Sequence, residues 1–210
     1  MEEIEKNQKI KWLEKHWPVI REWMEAILIA FILAMIIRTF MIQAFKIPSG
    51  SMHPTLMEGD HLIVNKLRYG SKFILRFGPK IIFSAPRLPG FKKPQRGDII
   101  VFLYPKGPER DFIKRLIAFG GETVEIKNGD IYINSQLVED PVIKNIYYYN
   151  QGEYGAENQP IKIPEGYVFV LGDNSASSHD SRYWGFVPED YIIGRAEFIY
   201  WPLSRMRFLK

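Results

Sequence analysis

From Ala26 to Ile37 the chain runs through twelve apolar residues without interruption. With Arg38, Thr39 and Gln43 included, the run continues to Phe45 as AILIAFILAMIIRTFMIQAF. As a helix, those twenty residues are about 30 Å long, the thickness of a bilayer's hydrocarbon core. Arg38 lies near the far end, where its long stem lets the guanidinium reach the headgroups. A cleaved signal peptide needs small residues at −3 and −1 of its cut. A cut before Phe45 would put Ile42 and Ala44 there, and Ile42 is too large. The 25 residues before the run are also long for a charged leader. The run therefore predicts an uncleaved single-span anchor over 26–45. Upstream, Ile10, Leu13, Trp17 and Ile20 recur at helical spacing among lysines. This predicts an amphipathic segment over 1–25 lying on a membrane face before Trp23 enters the interface. Five Lys or Arg precede the run, against Arg38 and Lys46 at its other end. The positive-inside rule then puts the N-terminus in the cytoplasm and residues 46–210 outside.

Beyond Phe45 the chain becomes β-like. HLIVNKL, GDIIVFL, TVEIKNGDIYIN, YVFVLG and RAEFIYWPL are short runs of β-branched and aromatic residues with partial alternation. Asn128-Gly129 between VEIK and DIYIN signals a two-residue hairpin. Residues 139–162 are rich in Tyr, Asn and Gly and read as an irregular insertion. The sequence has no cysteine, so disulfides, thiolate catalysis and Cys-ligated zinc are excluded. No spacing of metal ligands is present, and no metal or cofactor is expected. The net charge of +4 is unevenly spread. Residues 67–96 carry eight Lys or Arg and no acid. Interleaved with Tyr69, Phe73, Phe77, Phe83 and Phe91, these cations predict a surface that docks on anionic lipid.

Three stretches could carry chemistry. In Pro48-Ser49-Gly50-Ser51-Met52-His53-Pro54-Thr55-Leu56, two serines stand two apart around a glycine. The second could be a nucleophile, and the first could supply its hydroxyl, beside the nucleophile's own N–H, to an oxyanion hole. In Asp111–Gly121, a strand would put Phe112, Lys114 and Leu116 on one face. Lys114 would then be desolvated, its amine lowered toward neutrality and able to serve a serine as general base. A helix fits the same residues through Phe112, Ile113, Leu116 and Ile117, and would leave Lys114 in solvent. The third stretch, Gly172–Gly185, is almost wholly hydrogen-bonding. It follows an apolar strand and ends in Tyr-Trp-Gly, which suggests a packed polar network. A triad of Ser51, His179 and Asp180 is disfavoured, since adjacent His and Asp side chains diverge. His16, His53 and His61 suggest no role.

In this order, the blocks IPSGSMHPTL, GDHLIVNK (Gly59–Lys66), KRLIAFGGETV (Lys114–Val124) and GDNSASSHDSRYWG resemble the type I (leader) signal peptidase family. The resemblance implies a mainly β fold: an N-terminal transmembrane helix, then a β-rich catalytic core with a small inserted β subdomain near 125–166. It implies a Ser/Lys dyad with Ser51 as nucleophile and Lys114 as general base. Ser49 and the Ser51 N–H would form the oxyanion hole, and Ser178 would hold the lysine amine. Asp173, Arg115, Asp180 and Arg182 would form supporting ion pairs, and Ile47 and Ile113 pocket walls. The implied substrates are secreted pre-proteins with small residues at −1 and −3, met at the lipid bilayer. The family's usual Pro-Gly-Asp is Gly120-Gly121-Glu122 here. A cytosolic Ser/Lys autoprotease would need an Ala-Gly cleavage site, and the sequence has none. A nucleic-acid-binding module would explain the charge but not the three motifs, so no nucleic acid partner is expected.

Overall fold

The structure, a computed structural model, describes residues 2–70, 72, 74–77 and 80–209. It forms two units, one ending at Thr39 and one beginning at Phe40. The first is helix α1 (Glu2–Ile36), with Pro18 inside it, followed by a π-turn over Ile37–Met41. The stretch Lys15–Met41 is long and apolar enough to cross a membrane, and none of its most apolar window is buried in protein. The helix differs from the predicted anchor at both ends. It begins well before Ala26, and it stops at Met41 because Ile42–Lys46 become a strand. There the backbone finds sheet partners from Ile42↔Asn65 to Lys46↔His61. Of the predicted amphipathic stripe, Trp17 and Trp23 are exposed, while the side chains of Ile10 and Leu13 lie outside the described residues.

The second unit is mainly β. Its strands are β1 (Ile42–Lys46), β2 (His61–Asn65), β3 (Ile74–Phe77), β4 (Lys80–Ser84), β5 (Ile99–Leu103), β6 (Asp111–Phe119) and β7 (Thr123–Lys127). There follow β8 (Asp130–Ile133), β9 (Gln136–Leu137), β10 (Ile161–Lys162), β11 (Tyr167–Leu171), β12 (Val187–Pro188), β13 (Ile192–Trp201) and β14 (Arg207–Phe208). Two short helices, α2 (Pro141–Lys144) and α3 (Ser181–Trp184), sit in the connections. The main sheet is antiparallel, in the order β1-β2-β13-β5-β6-β11-β12, with β14 also on β13. A four-stranded sheet, β10-β7-β8-β9, is inserted between β6 and β11, and β3 and β4 form a separate hairpin. The Asn128-Gly129 turn joins β7 to β8 with both residues at positive φ, as a type I′ hairpin turn requires.

Strand β5 shows why the core is so apolar. All five of its residues are buried. Ile99, Val101 and Leu103 pack into one cluster with Leu62, Val64 and Ile199, while Ile100 and Phe102 pack on the opposite face with Leu116, Val168 and Trp184. A strand covered on both faces reads as a continuous apolar run, and each buried side chain contributes about 1.5–3 kcal/mol. A third cluster, with Ile126, Ile131, Tyr148 and Phe169, joins the inserted sheet to the main one.

The basic segment is less free than its charge count suggested. Arg68 pairs with Glu197 at 3.1 Å and Arg96 with Glu122 at 2.7 Å. Lys72 pairs with Asp190, and Arg87 donates to the Gly70 carbonyl at 2.8 Å and to that of Asp190 at 3.2 Å. Acids remote in sequence thus come alongside the cations in space. Phe91, Lys92 and Lys93 stand exposed at one end of the segment. The side chains of Arg76 and Lys80 lie outside the described residues.

Candidate active site

The two motif segments meet at one point. Ser51 sits in a tight turn, Gly50–Met52, after β1, and Lys114 sits on β6. The strand reading of Asp111–Phe119 is the one realised. It turns Lys114 inward, 3% exposed, beside the buried Arg115. Lys114 Nζ lies 2.5 Å from Ser51 Oγ. Burial lowers the amine from its ordinary 10.5 to about 8. The carboxylates of Asp180 and Asp173 oppose that shift, and the Arg182 guanidinium adds to it. A lysine at about 8 has a usable neutral fraction near pH 7–8, which a solvated lysine lacks.

A groove of about 590 Å³ opens over this pair. Its walls are Pro48, Ser49 and His53 on one side, Phe112 and Ile113 on another, and Asn174, Ser177 and His179 on a third. Phe112–Lys114 pair with β5 on one edge, and no strand among the described residues joins their other edge, since β11 meets β6 only from Arg115 onward. An extended peptide can be met there, next to the serine.

The third motif is a packed network, as its composition suggested. Arg115 grips Asp173 through Nε–Oδ1 at 2.8 Å and Nη2–Oδ2 at 2.5 Å, and its Nη1 donates to the Gly97 carbonyl at 2.6 Å. Arg182 grips Asp180 with two contacts of 2.8 Å and also donates to Ser175 Oγ and to the Tyr149 carbonyl. All four side chains are almost completely buried. Bidentate pairing offsets the desolvation that an isolated buried charge could not survive. Because both Asp180 oxygens are taken, by Arg182 and by the Gly172 N–H, none is left to orient His179.

Two sequence expectations change. Ile47 is 3% exposed and packs in the core with Met52 and Leu56. The groove wall it was expected to form comes instead from its neighbours Pro48 and Ser49. Ser178, expected to hold the lysine amine, is buried, but its hydroxyl has no hydrogen-bond partner among the described residues. It stands beside the Ser51 turn. A Cβ at Gly172 would lie 2.1 Å from Ser178 Oγ and 2.4 Å from the Ser51 carbonyl oxygen. Only glycine fits where those two groups converge.

Residues inside the motifs take parts that spacing did not reveal. Thr55 Oγ1 donates to Asp173 Oδ2 at 2.5 Å. Asn174 clamps the Gly50–Met52 turn twice, from its N–H to the Ser51 carbonyl at 3.1 Å and from Nδ2 to the Gly50 carbonyl at 3.0 Å. Both contacts bridge more than a hundred positions of sequence, and no local pattern announces such a partner.

Comparison with known proteins identifies the family. The family described as signal peptidase, peptidase S26 matches residues 20–201. The chain is 38% identical to signal peptidase I of Leptolyngbya laminosa over 89% of its own length and 82% of that protein's. It is 36% identical to signal peptidase I P of Bacillus subtilis subsp. natto over 91% and 94% of the two lengths. With signal peptidase I of Aquifex aeolicus the identity is 31%, over 87% and 84%. On these matches the chain belongs to the signal peptidase family, peptidase S26, as a serine endopeptidase of the signal peptidase I type.

Proposed function

We propose that this enzyme is anchored in a membrane by α1 and removes signal peptides from exported pre-proteins with Ser51 as nucleophile and Lys114 as general base. The observation that carries the reading is the 2.5 Å contact between Lys114 Nζ and Ser51 Oγ, made by an amine that burial holds at about 8. The pre-protein lies along the open edge of β6. Neutral Lys114 takes the hydroxyl proton as Ser51 Oγ attacks the scissile carbonyl, and the resulting ammonium then protonates the departing amine. Water releases the acyl group by the same steps in reverse roles. The Ser49 hydroxyl and the Ser51 N–H receive the developing oxyanion.

The two buried ion pairs fix the walls of the lysine's chamber and set the charges it senses. Pro48 and Ile113 make an apolar surface suited to small residues at −1 and −3 of the cleavage site. The cationic N-terminal segment stays in the cytoplasm, and the β-rich unit works on the far side. Anchoring enzyme and substrate in one bilayer raises their effective concentration.

The test is cleavage of a pre-protein by the purified enzyme. Ser51→Ala and Lys114→Ala should abolish it. Lys114→Arg should be equally inactive, because a guanidinium does not deprotonate near neutral pH. Substantial cleavage by Lys114→Arg would remove Lys114 from the role of base.

A further inference from the structure

The insert carries three consecutive tyrosines, Tyr147-Tyr148-Tyr149, and the core uses only the middle one. Tyr148 is fully buried and anchors the segment in the third cluster. Its neighbours face outward, Tyr147 at 60% and Tyr149 at 48% exposure, with their rings in edge contact at 4.9 Å. Exposure has not left them loose. The Tyr147 ring lies over the β7–β8 turn, where a Cβ on Gly129 would stand 2.2 Å from it. The Tyr149 backbone is held at both ends, its N–H on Ser175 Oγ at 2.9 Å and its carbonyl on Arg182 Nη1 at 2.8 Å. The same surface continues toward the groove. Tyr183 donates its hydroxyl to Gln151 Oε1 at 3.2 Å, and its ring lies 5.1 Å from that of His179, which lines the groove over Ser51 and Lys114.

We propose that Tyr147, Tyr149 and Tyr183, with His179 at the groove end, form an exosite for the polypeptide that follows the scissile bond, the first residues of the mature pre-protein. The proposal rests on the reading that Ser51 and Lys114 cleave pre-proteins. An extended, variable polypeptide is the occupant that fits. Tyrosine offers a rigid apolar face and a hydroxyl at little cost in rotamer entropy, and the three tyrosine side chains carry no fixed charge that would select one sequence. The path is continuous with the groove, and a chain longer than the groove must leave along its wall. The apolar part of a signal peptide stays in the bilayer, so the part free to follow a water-exposed wall of tyrosines is the polypeptide after the scissile bond.

The experiment compares three peptides with the full-length enzyme in detergent. One spans only the cleavage site, one adds about ten residues (roughly 30 Å extended) on the C-terminal side, and one adds as many on the N-terminal side. The wild type should show a lower KM for the C-terminally extended peptide than for the short one. Tyr147→Ser/Tyr149→Ser should raise KM for that peptide about 5- to 10-fold and leave kcat and the short peptide unchanged. Tyr147→Phe/Tyr149→Phe should keep most of the advantage. Equal KM for short and C-extended peptides in the wild type, or an equal loss on both in the Ser variant, overturns the proposal. An effect that follows the N-terminal extension also overturns it, as does loss of binding to anionic vesicles with peptide KM unchanged. Binding of the C-extended peptide to Ser51→Ala, measured by fluorescence anisotropy, separates the two readings. If the wild type cleaves none of the peptides, the catalytic assignment has failed, while weaker anisotropy binding after the tyrosine substitutions still supports the exosite and unchanged binding still refutes it.

Discussion

Replacing Lys114 by methionine should make the protein more stable at neutral pH and abolish its activity. The folded-state amine sits at about 8, against an ordinary 10.5 in the unfolded chain. Below pH 8 both states carry the proton, and the folded state bears the full cost of a buried ammonium. A separation of 2.5 units corresponds to about 3 kcal/mol at 1.36 kcal/mol per unit. Between pH 8 and 10.5 the unfolded chain binds more protons than the folded one, so wild-type stability rises with pH across that window, and above 10.5 the penalty is gone. Methionine has nearly the same length and no charge. It loses the contact to Ser51, worth about 1 kcal/mol. Lys114→Met should therefore exceed wild type by about 2 kcal/mol at pH 7 and fall slightly below it near pH 11. The assay is urea denaturation of both proteins in the same detergent at several pH values, read as a difference so that other titrating groups cancel. In parallel, wild-type kcat/KM should climb with pH through a midpoint near 8. A stability difference that stays constant from pH 7 to 10.5 would refute the claim that this amine is held down by burial.

Other expectations are more direct. Ser49→Ala should lower kcat about 100- to 1,000-fold with little change in KM, and Ser49→Thr should retain activity; a neutral result in a pre-protein assay would place the oxyanion donors elsewhere. Thr55→Val removes a hydroxyl from Asp173 while leaving Arg115 on both its oxygens, so thermal unfolding should report a loss of about 1–2 kcal/mol, and an unchanged melting temperature would deny the contact any weight. For membrane contact, the exposed Phe91, Lys92 and Lys93 are better targets than Lys72 and Arg87, which have protein partners. Phe91→Ser with Lys92→Gln and Lys93→Gln should weaken adsorption of the anchor-free domain to anionic vesicles in sedimentation, and equal binding would exclude this end of the segment.

Much of the molecule was legible before any coordinates. The apolar run, the two serines around Gly50, the lysine in its apolar strand and the polar third motif are local patterns, and their chemistry follows from residue type. Periodicity also marked β2, β5, the β7–β8 hairpin, β11 and β13. It could not choose between strand and helix for Asp111–Phe119, because a stretch buried on both faces satisfies either period; pairing with β5 and β11 decided it. Nor could it end the apolar helix at Met41, since what turns Ile42–Lys46 into a strand is the edge of β2. Ile47 read as a pocket wall because it adjoins the nucleophile motif, yet its side chain is buried in the core.

The sequence alone determined which groups exist to do chemistry and in what order they occur: an apolar helix, two serines around a glycine, a lysine among apolar neighbours and a set of acids and arginines. Tertiary structure alone decided which of them meet. Ser51 and Lys114 are 63 positions apart in the chain and 2.5 Å apart in space. The same closure removes water from the amine and lowers it to about 8. The pairing of Arg115 with Asp173 was likewise decided in space, whereas Arg182 meets Asp180 only two residues away. Also decided in space was the fate of part of the basic segment, where Arg96, Lys72 and Arg68 meet Glu122, Asp190 and Glu197 from distant strands and loops. The physical reason is the same in each case. A residue's type sets what it can donate, accept or bury, but its pKa, exposure and partner depend on neighbours that the chain brings alongside only when the sheet is formed.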